Sequence, residues 1–153
     1  MVPSYLRLIT VAGLLALGAC AVTPLAPQKD YAPVAIPDSS PAHSLLESAR
    51  SARSRGDTGA AGRYLERALG MAGTNEATVL YRELADLRLA EDKPRDAEGL
   101  ALRALREAPE NPEWRAGLWE LLATARQRQG NAEGSAAARA EADRLRGEAV
   151  SSR

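Results

Sequence analysis

Residues 75–107 read NEATVLYRELADLRLAEDKPRDAEGLALRALRE, with Asp92-Lys93-Pro94 at the middle. Proline clashes with the preceding turn of a helix and lacks the backbone donor, so Pro94 ends one helix and opens the next. The spacing predicts helices over 75–91 and 94–107. The first carries Tyr81, Leu84 and Ala85, and the second carries Ala97, Ala101 and Ala104. Working outward, Gly56-Asp57 and Gly130-Asn131 repeat the break, each with a Gly to end a helix and an Asp or Asn to cap the next. Asn111-Pro112-Glu113 reads as an N-cap, a Pro at the first helical position and an acid in the first turn. Six helices follow, over 44–55, 58–71, 75–91, 94–107, 112–129 and 132–147.

The breaks at Gly56, Asp92 and Gly130 lie 36 and 38 residues apart. Ala61, Leu65 and Ala68 fall 5, 9 and 12 residues after Gly56, and Ala97, Ala101 and Ala104 fall at the same offsets after Asp92. Small residues at helix crossings let backbones approach, and bulky ones fill the space between neighbouring units. The fold class is therefore all-α, a repeat of about three helix–turn–helix units. The pattern resembles the tetratricopeptide repeat (TPR): Leu45, Ala49, Gly56, Ala61, Leu65 and Ala68 in unit one, Tyr81 to Pro109 in unit two, and Trp119, Leu122, Ala123, Gly130 and Ala142 in unit three. The interval exceeds that family's 34 residues. Unit three has Ser135 and Arg139 where an Ala and a bulky residue are expected, so its last helix reads as a polar cap.

Composition agrees. Aromatic residues make up 4% of the chain and Phe is absent, which does not suit a β-sandwich. Lys+Arg and Asp+Glu both number 20, giving no net charge, which argues against a nucleic-acid partner. One Cys and one His exclude an internal disulfide and a zinc site from those ligands alone, and the scarcity argues against Cys-His or Ser-His-Asp catalysis. No cofactor, metal or catalytic constellation is expected, and the protein is not expected to be an enzyme. Acids and Arg three positions apart, such as Arg63 with Glu66 and Glu141 with Arg144, read as solvated helix-surface pairs.

The N-terminus reads as an address. Residues 1–19 end in an uncharged apolar run too short to cross a bilayer, followed by Leu17-Gly18-Ala19-Cys20. That ending resembles the lipobox of bacterial lipoproteins, which implies cleavage before Cys20 and its lipidation. Ala21 rather than Asp implies, by the same resemblance, the outer membrane, facing the periplasm. Residues 20–43 hold five of the nine prolines and show no apolar periodicity, so they read as a disordered or polyproline-like tether. At roughly 3.1 Å per residue it would reach at most about 70 Å. The helical domain is expected over 44–149, with a disordered tail over 150–153.

TPR units bind mainly through the concave surface of their first helices. The resemblance places Leu46, Arg50, Arg53, Val79, Arg82, Asp86, Leu89, Glu120, Thr124, Gln127 and Arg128 there. Arg50, Arg53 and Arg82 form a cluster suited to an acidic or mixed segment, and reversing Arg50 and Arg82 to Glu is expected to leave the fold intact. Trp114 either staples the start of its helix or stands exposed for a partner. Lipobox, Pro-rich tether and repeats together look like the TPR lipoproteins that stimulate a bifunctional class A penicillin-binding protein. That resemblance implies a membrane-anchored adaptor binding a periplasmic or membrane-bound envelope protein. A pilotin-like factor for secretin or type IV pilus assembly is the alternative, and a peptidoglycan-acting enzyme the remote one.

The lipobox reading gives a first expected outcome. Cys20→Ala should abolish acylation and release the chain from the membrane fraction. An unlipidated variant that stayed in the outer membrane would defeat it.

Overall fold

The computed structural model describes residues 31–151. Residues 1–30, which hold the expected signal peptide, Cys20 and the first part of the tether, lie outside the described residues, as do 152 and 153. Six helices follow one another: α1 (Pro41–Ser54), α2 (Thr58–Leu69), α3 (Thr74–Ala90), α4 (Pro94–Glu107), α5 (Pro112–Arg128) and α6 (Ala132–Ser151). They pack as the pairs α1–α2, α3–α4 and α5–α6, which stack through α2–α3, α4–α5 and a smaller α3–α5 contact.

The three repeating breaks share one backbone geometry. Gly56 and Gly130 both have φ of 79°, and Asp92 adopts φ of 57°. In each, the left-handed residue donates its N–H three residues back: Gly56 to Arg53, Asp92 to Leu89, Gly130 to Gln127. The next residue donates five back, Asp57 to Ala52, Lys93 to Arg88 and Asn131 to Arg126. This pair of bonds satisfies the orphan carbonyls at a helix end, and the left-handed residue makes it close. Asp57 and Asn131 then cap the following helices through Ala60 N and Gly134 N, both at 2.8 Å.

Alanines at the predicted offsets form the crossings. Ala61, Ala68, Ala97, Ala101, Ala104 and Ala142 are each 0–1% exposed. Unit joins add polar ties: Glu98 on α4 accepts from Arg126 Nε at 2.8 Å and from Gln129 Nε2 at 2.7 Å. Those donors hold the Glu98 carboxyl below the usual range.

Both ends of the domain differ from expectation. Helix α1 starts at Pro41, not 44, with Ser40 as N-cap. The preceding segment is part of the fold: Ile36 is buried in the core cluster of α1–α3, and Val34 packs against it. Residues 34 and 36 turn inward while 33, 35 and 37 are exposed, an alternation too short to register as periodicity. At the other end α6 continues to Ser151 because Ala149 still packs inward.

Ser135 occupies the position of Ala61 and Ala97, five residues after the turn, and is 2% exposed. Its hydroxyl has no hydrogen-bond partner among the described residues. Since burying an unpaired hydroxyl costs about 1–3 kcal/mol, Ser135→Ala should raise stability by about 1 kcal/mol. Thermal melts would check it, and a lowered Tm would mean the hydroxyl is paired in solution.

Candidate functional site: the concave face

Helices α1 and α3 present one face to a depression of about 450 Å³ lined by Leu46, Arg50, Arg53, Val79, Arg82, Glu83 and Asp86, with Trp114 from α5. A helix turns about 100° per residue, so positions three and four apart share a face. Val79, Arg82, Glu83 and Asp86 obey that rule along α3, as do Leu46, Arg50 and Arg53 along α1.

The floor is fixed by a relay of hydrogen bonds. Thr78, wholly buried, donates its hydroxyl to the Ala104 carbonyl at 2.9 Å. The same oxygen accepts the Trp114 indole N–H at 3.1 Å. Trp114 is thus half-buried with its donor satisfied. It is not a freely exposed aromatic. The Arg82 guanidinium lies over its ring, 4.8 Å from the centroid. Such cation–π stacking contributes about 0.5–1 kcal/mol at partly exposed sites and holds a long side chain in one place.

Glu83, which the register reading passed over, organises the other two arginines. Its carboxylate accepts from Arg50 Nε at 3.0 Å, Arg50 Nη2 at 2.7 Å and Arg53 Nη1 at 3.1 Å. Its side chain is 14% exposed. The signal was present: Glu83 lies four residues after Val79. The pairing raises the Arg50 pKa. Arg50 is solvent-facing as expected, but the pairing gives Arg50→Glu a cost that the sequence did not reveal, because a second carboxylate would face one that is 14% exposed. Arg82 makes no such ion pair among the described residues; it lies half-buried on the indole, whereas Arg50 and Arg53 are more exposed but tied to Glu83. One turn on, burial pushes the Asp86 carboxyl up, and Arg82 opposes this only in part.

The remaining predicted residues do not join the depression. Leu89 is 7% exposed and belongs to the core with Ala97, Ala101 and Leu118. It lies only about 20° around the helix from Arg82, but two turns further on, where α4 and α5 side chains cover it. Arg128 donates to the Leu89 carbonyl at 2.6 Å, closing the end of α3. Glu120 pairs with Arg146 of α6 at 2.6 Å and borders a shallower adjoining hollow with Arg82 and Trp114. Thr124 bonds back to the Glu120 carbonyl, and Gln127 accepts from Arg139. The third unit therefore supplies Trp114 and spends most of its inner face on α6.

One rim is formed by the chain itself. Residues 32–36 cross the N-terminal ends of the first helices. Asn111 Nδ2, whose residue caps α5 through Oδ1, donates to the Ala32 carbonyl at 3.2 Å. His43 Nδ1 lies 3.3 Å from the Ile36 carbonyl and donates to it when that nitrogen carries the proton. Among the described residues no three or more His, Cys, Asp or Glu are grouped to hold a metal, and no helix is long and apolar enough to cross a membrane. What the face offers is a groove with fixed aromatic and guanidinium surfaces, suited to holding a polypeptide.

The chain is similar to the solved globular C-terminal domain of P. aeruginosa LpoP, with 38% identity over 67% of this chain and 95% of that chain, and a TM-score of 0.63. It is also similar to the N-terminal domain of stress-induced protein-1 (STI-1) from C. elegans, with a TM-score of 0.62 over 68% of this chain and 83% of that one. At 15% identity the second likeness shows the fold alone. No protein-family model and no curated protein matches the chain.

Asp86 yields a pH-dependent outcome. A carboxyl whose folded pKa is raised favours the neutral form in the folded state. Its contribution to stability is full below the unfolded value and is lost as pH rises through the folded one. Asp86→Asn should therefore raise the Tm at pH 7, and the gain should shrink as the pH falls to about 4. Melts across that range would check it; a lower Tm at pH 7 would show that the pairing with Arg82 outweighs burial.

Proposed function

The chain belongs to the family of the P. aeruginosa LpoP domain, and from that premise we propose that it is a lipid-anchored periplasmic TPR adaptor that stimulates a bifunctional class A penicillin-binding protein. The observation that carries this reading is the shared domain, 38% identical across 95% of the relative's length. The lipobox at Cys20 supports a lipid anchor, and Ala21 supports the outer membrane. Binding is the function the held side chains of the groove support.

Stimulation by a binder needs only a difference in affinity. An adaptor that binds the active conformation of an enzyme more tightly shifts the population toward it, by at most that difference. A rigid adaptor does this well, because little free energy is spent ordering its own side chains on binding. The Thr78–Trp114–Arg82 stack and the Glu83 clamp supply that rigidity.

The test is capture and stimulation of the purified synthase by the mature chain. Arg82→Ala should keep its helical circular dichroism and weaken capture at least tenfold, a loss of about 1.4 kcal/mol or more. The matched control is Arg63→Glu with Arg103→Glu, both exposed on second helices, which should bind as the parent does. Equal binding by the groove variant and the control would move the contact away from the depression. Absence of any capture by the parent chain would remove the synthase from consideration.

A further inference from the structure

The segment over the rim of the groove does what a bound peptide does. It runs extended, turns alternate side chains inward, and offers carbonyls to groups on the helices. Val34 and Ile36 enter the apolar surface, Ile36 as a member of the cluster that includes Ala42, Leu46 and Val79, with Val34 packed against it. The carbonyls of Ala32 and Ile36 face Asn111 and His43. Pro33 and Pro37 flank the two inward residues and restrict the backbone to extended forms. This is the economy of extended-peptide recognition, in which main-chain bonds hold the segment and pockets read every second side chain.

The hold is light. Residues 32–36 make no backbone–backbone hydrogen bond to a helix among the described residues. Their two side-chain contacts, at 3.2 and 3.3 Å, are at the long end of the hydrogen-bond range. Only Ile36 is buried. Open volume lies on both sides, the 450 Å³ depression and a second space of about 560 Å³ against Gly73–Glu76 and Pro109–Asn111. The receiving surface belongs to helices whose caps do not involve the segment, since Ser40 caps α1 and Asn111 caps α5 through a different atom.

We propose that the surface beneath Ala32–Ile36 is a docking site for an extended, proline-flanked apolar segment of the partner, and that the chain's own segment fills it until the partner takes its place. This rests on the concave face being the partner's face. The matching chemistry is two apolar, preferably β-branched, residues two positions apart, with a carbonyl available at each end. Displacement gives the partner a surface already shaped for such a segment and keeps that apolar surface covered in the free adaptor.

The experiment uses the full mature chain and a fluorescent synthetic peptide of residues 31–37. In the parent chain the tethered segment competes at an effective concentration in the millimolar range, so added peptide binds poorly. Val34→Asp with Ile36→Asp should release the segment and tighten peptide binding at least tenfold, read by anisotropy. Where that variant fails to fold, Ile36→Ala trims the side chain without adding charge and should tighten binding at least threefold. A folded variant that binds the peptide no better than the parent would overturn the proposal. So would a parent chain that runs as a dimer with exchanged segments, which would assign the surface to a second copy. The assay contains no synthase, so its failure leaves the Arg82 capture result standing, whereas a capture result that moved the contact off the depression would remove the partner from this surface whatever the peptide does.

Discussion

The architecture depends on three backbone turns in which one residue takes the left-handed conformation. With φ positive at Gly56, Asp92 and Gly130, each chain reversal closes with the same two hydrogen bonds. The residues that follow are then delivered at fixed angular positions. Five and twelve residues on, the side chain points at the partner helix, and only a small one fits. Asp92 shows that the geometry, not the glycine, is what the fold needs: aspartate is among the few non-glycine residues that visit this region readily. Proline at position 94 then fixes the next helix without a side-chain cap, since Lys93 provides none. The second unit reaches by Asp-Lys-Pro what the others reach by Gly-Asp and Gly-Asn.

From that register the inner face follows, and with it the character of the groove. Three arginines on a surface would ordinarily move independently and repel. Here each is assigned a place. Glu83 gathers Arg50 and Arg53 into one bonded group, and the indole of Trp114 carries Arg82. The indole is in turn held by Thr78, and Thr78 by the carbonyl of Ala104 on the second helix of its own unit. An alanine crossing and a guanidinium at the surface are thus two ends of one chain of contacts. Charge in the groove is positioned as well as present, which favours an adaptor that must discriminate between conformations of a partner.

Much of this was legible in the sequence because its cause is local. Turn chemistry, caps and alanine offsets are read within a dozen residues, and they located all six helices of the described residues. The polar reading of the last helix fits exposed Arg139 but not Ser135, which is buried at the crossing position its column predicts. What escaped reading was non-local. Glu83 could have been found by completing the helical face from Val79, but its tie to Arg50 and Arg53 depends on the α1–α3 packing. Leu89 was misplaced because α4 and α5 cover that end of α3, which the register of α3 alone does not reveal. Residues 33–40 read as tether because prolines and an absence of helical period look alike in a spacer and in an extended segment lying on a surface. Two inward residues, Val34 and Ile36, are too few to make a pattern. The residues that hold the segment, Leu46 and Val79 around Ile36 and Asn111 at the Ala32 carbonyl, lie up to about eighty positions away in the chain.

That segment also ties the occupancy of the groove to the reach of the anchor. With Cys20 held in a membrane, the tether available to the domain is what lies between Ala21 and the first residue fixed on the helices. Fixed at Ala32, it is eleven residues, or at most about 34 Å at polyproline spacing. Released through Ile36, with Pro37 still bonded to Ser40 ahead of α1, it is sixteen residues, or about 50 Å. In the proposed mode, displacing Ala32–Ile36 would lengthen the reach of the domain from the membrane by about half as the groove takes up its partner. Tension acts in the same sense: a pull toward the membrane is borne first by the Asn111–Ala32 bond and then by Val34 and Ile36, not by α1. A partner far from the membrane would therefore ease release of the segment and gain the surface beneath it. A partner close by would gain neither, so under the proposed anchor and displacement the same few contacts that close the rim would bear on the distance at which the adaptor engages.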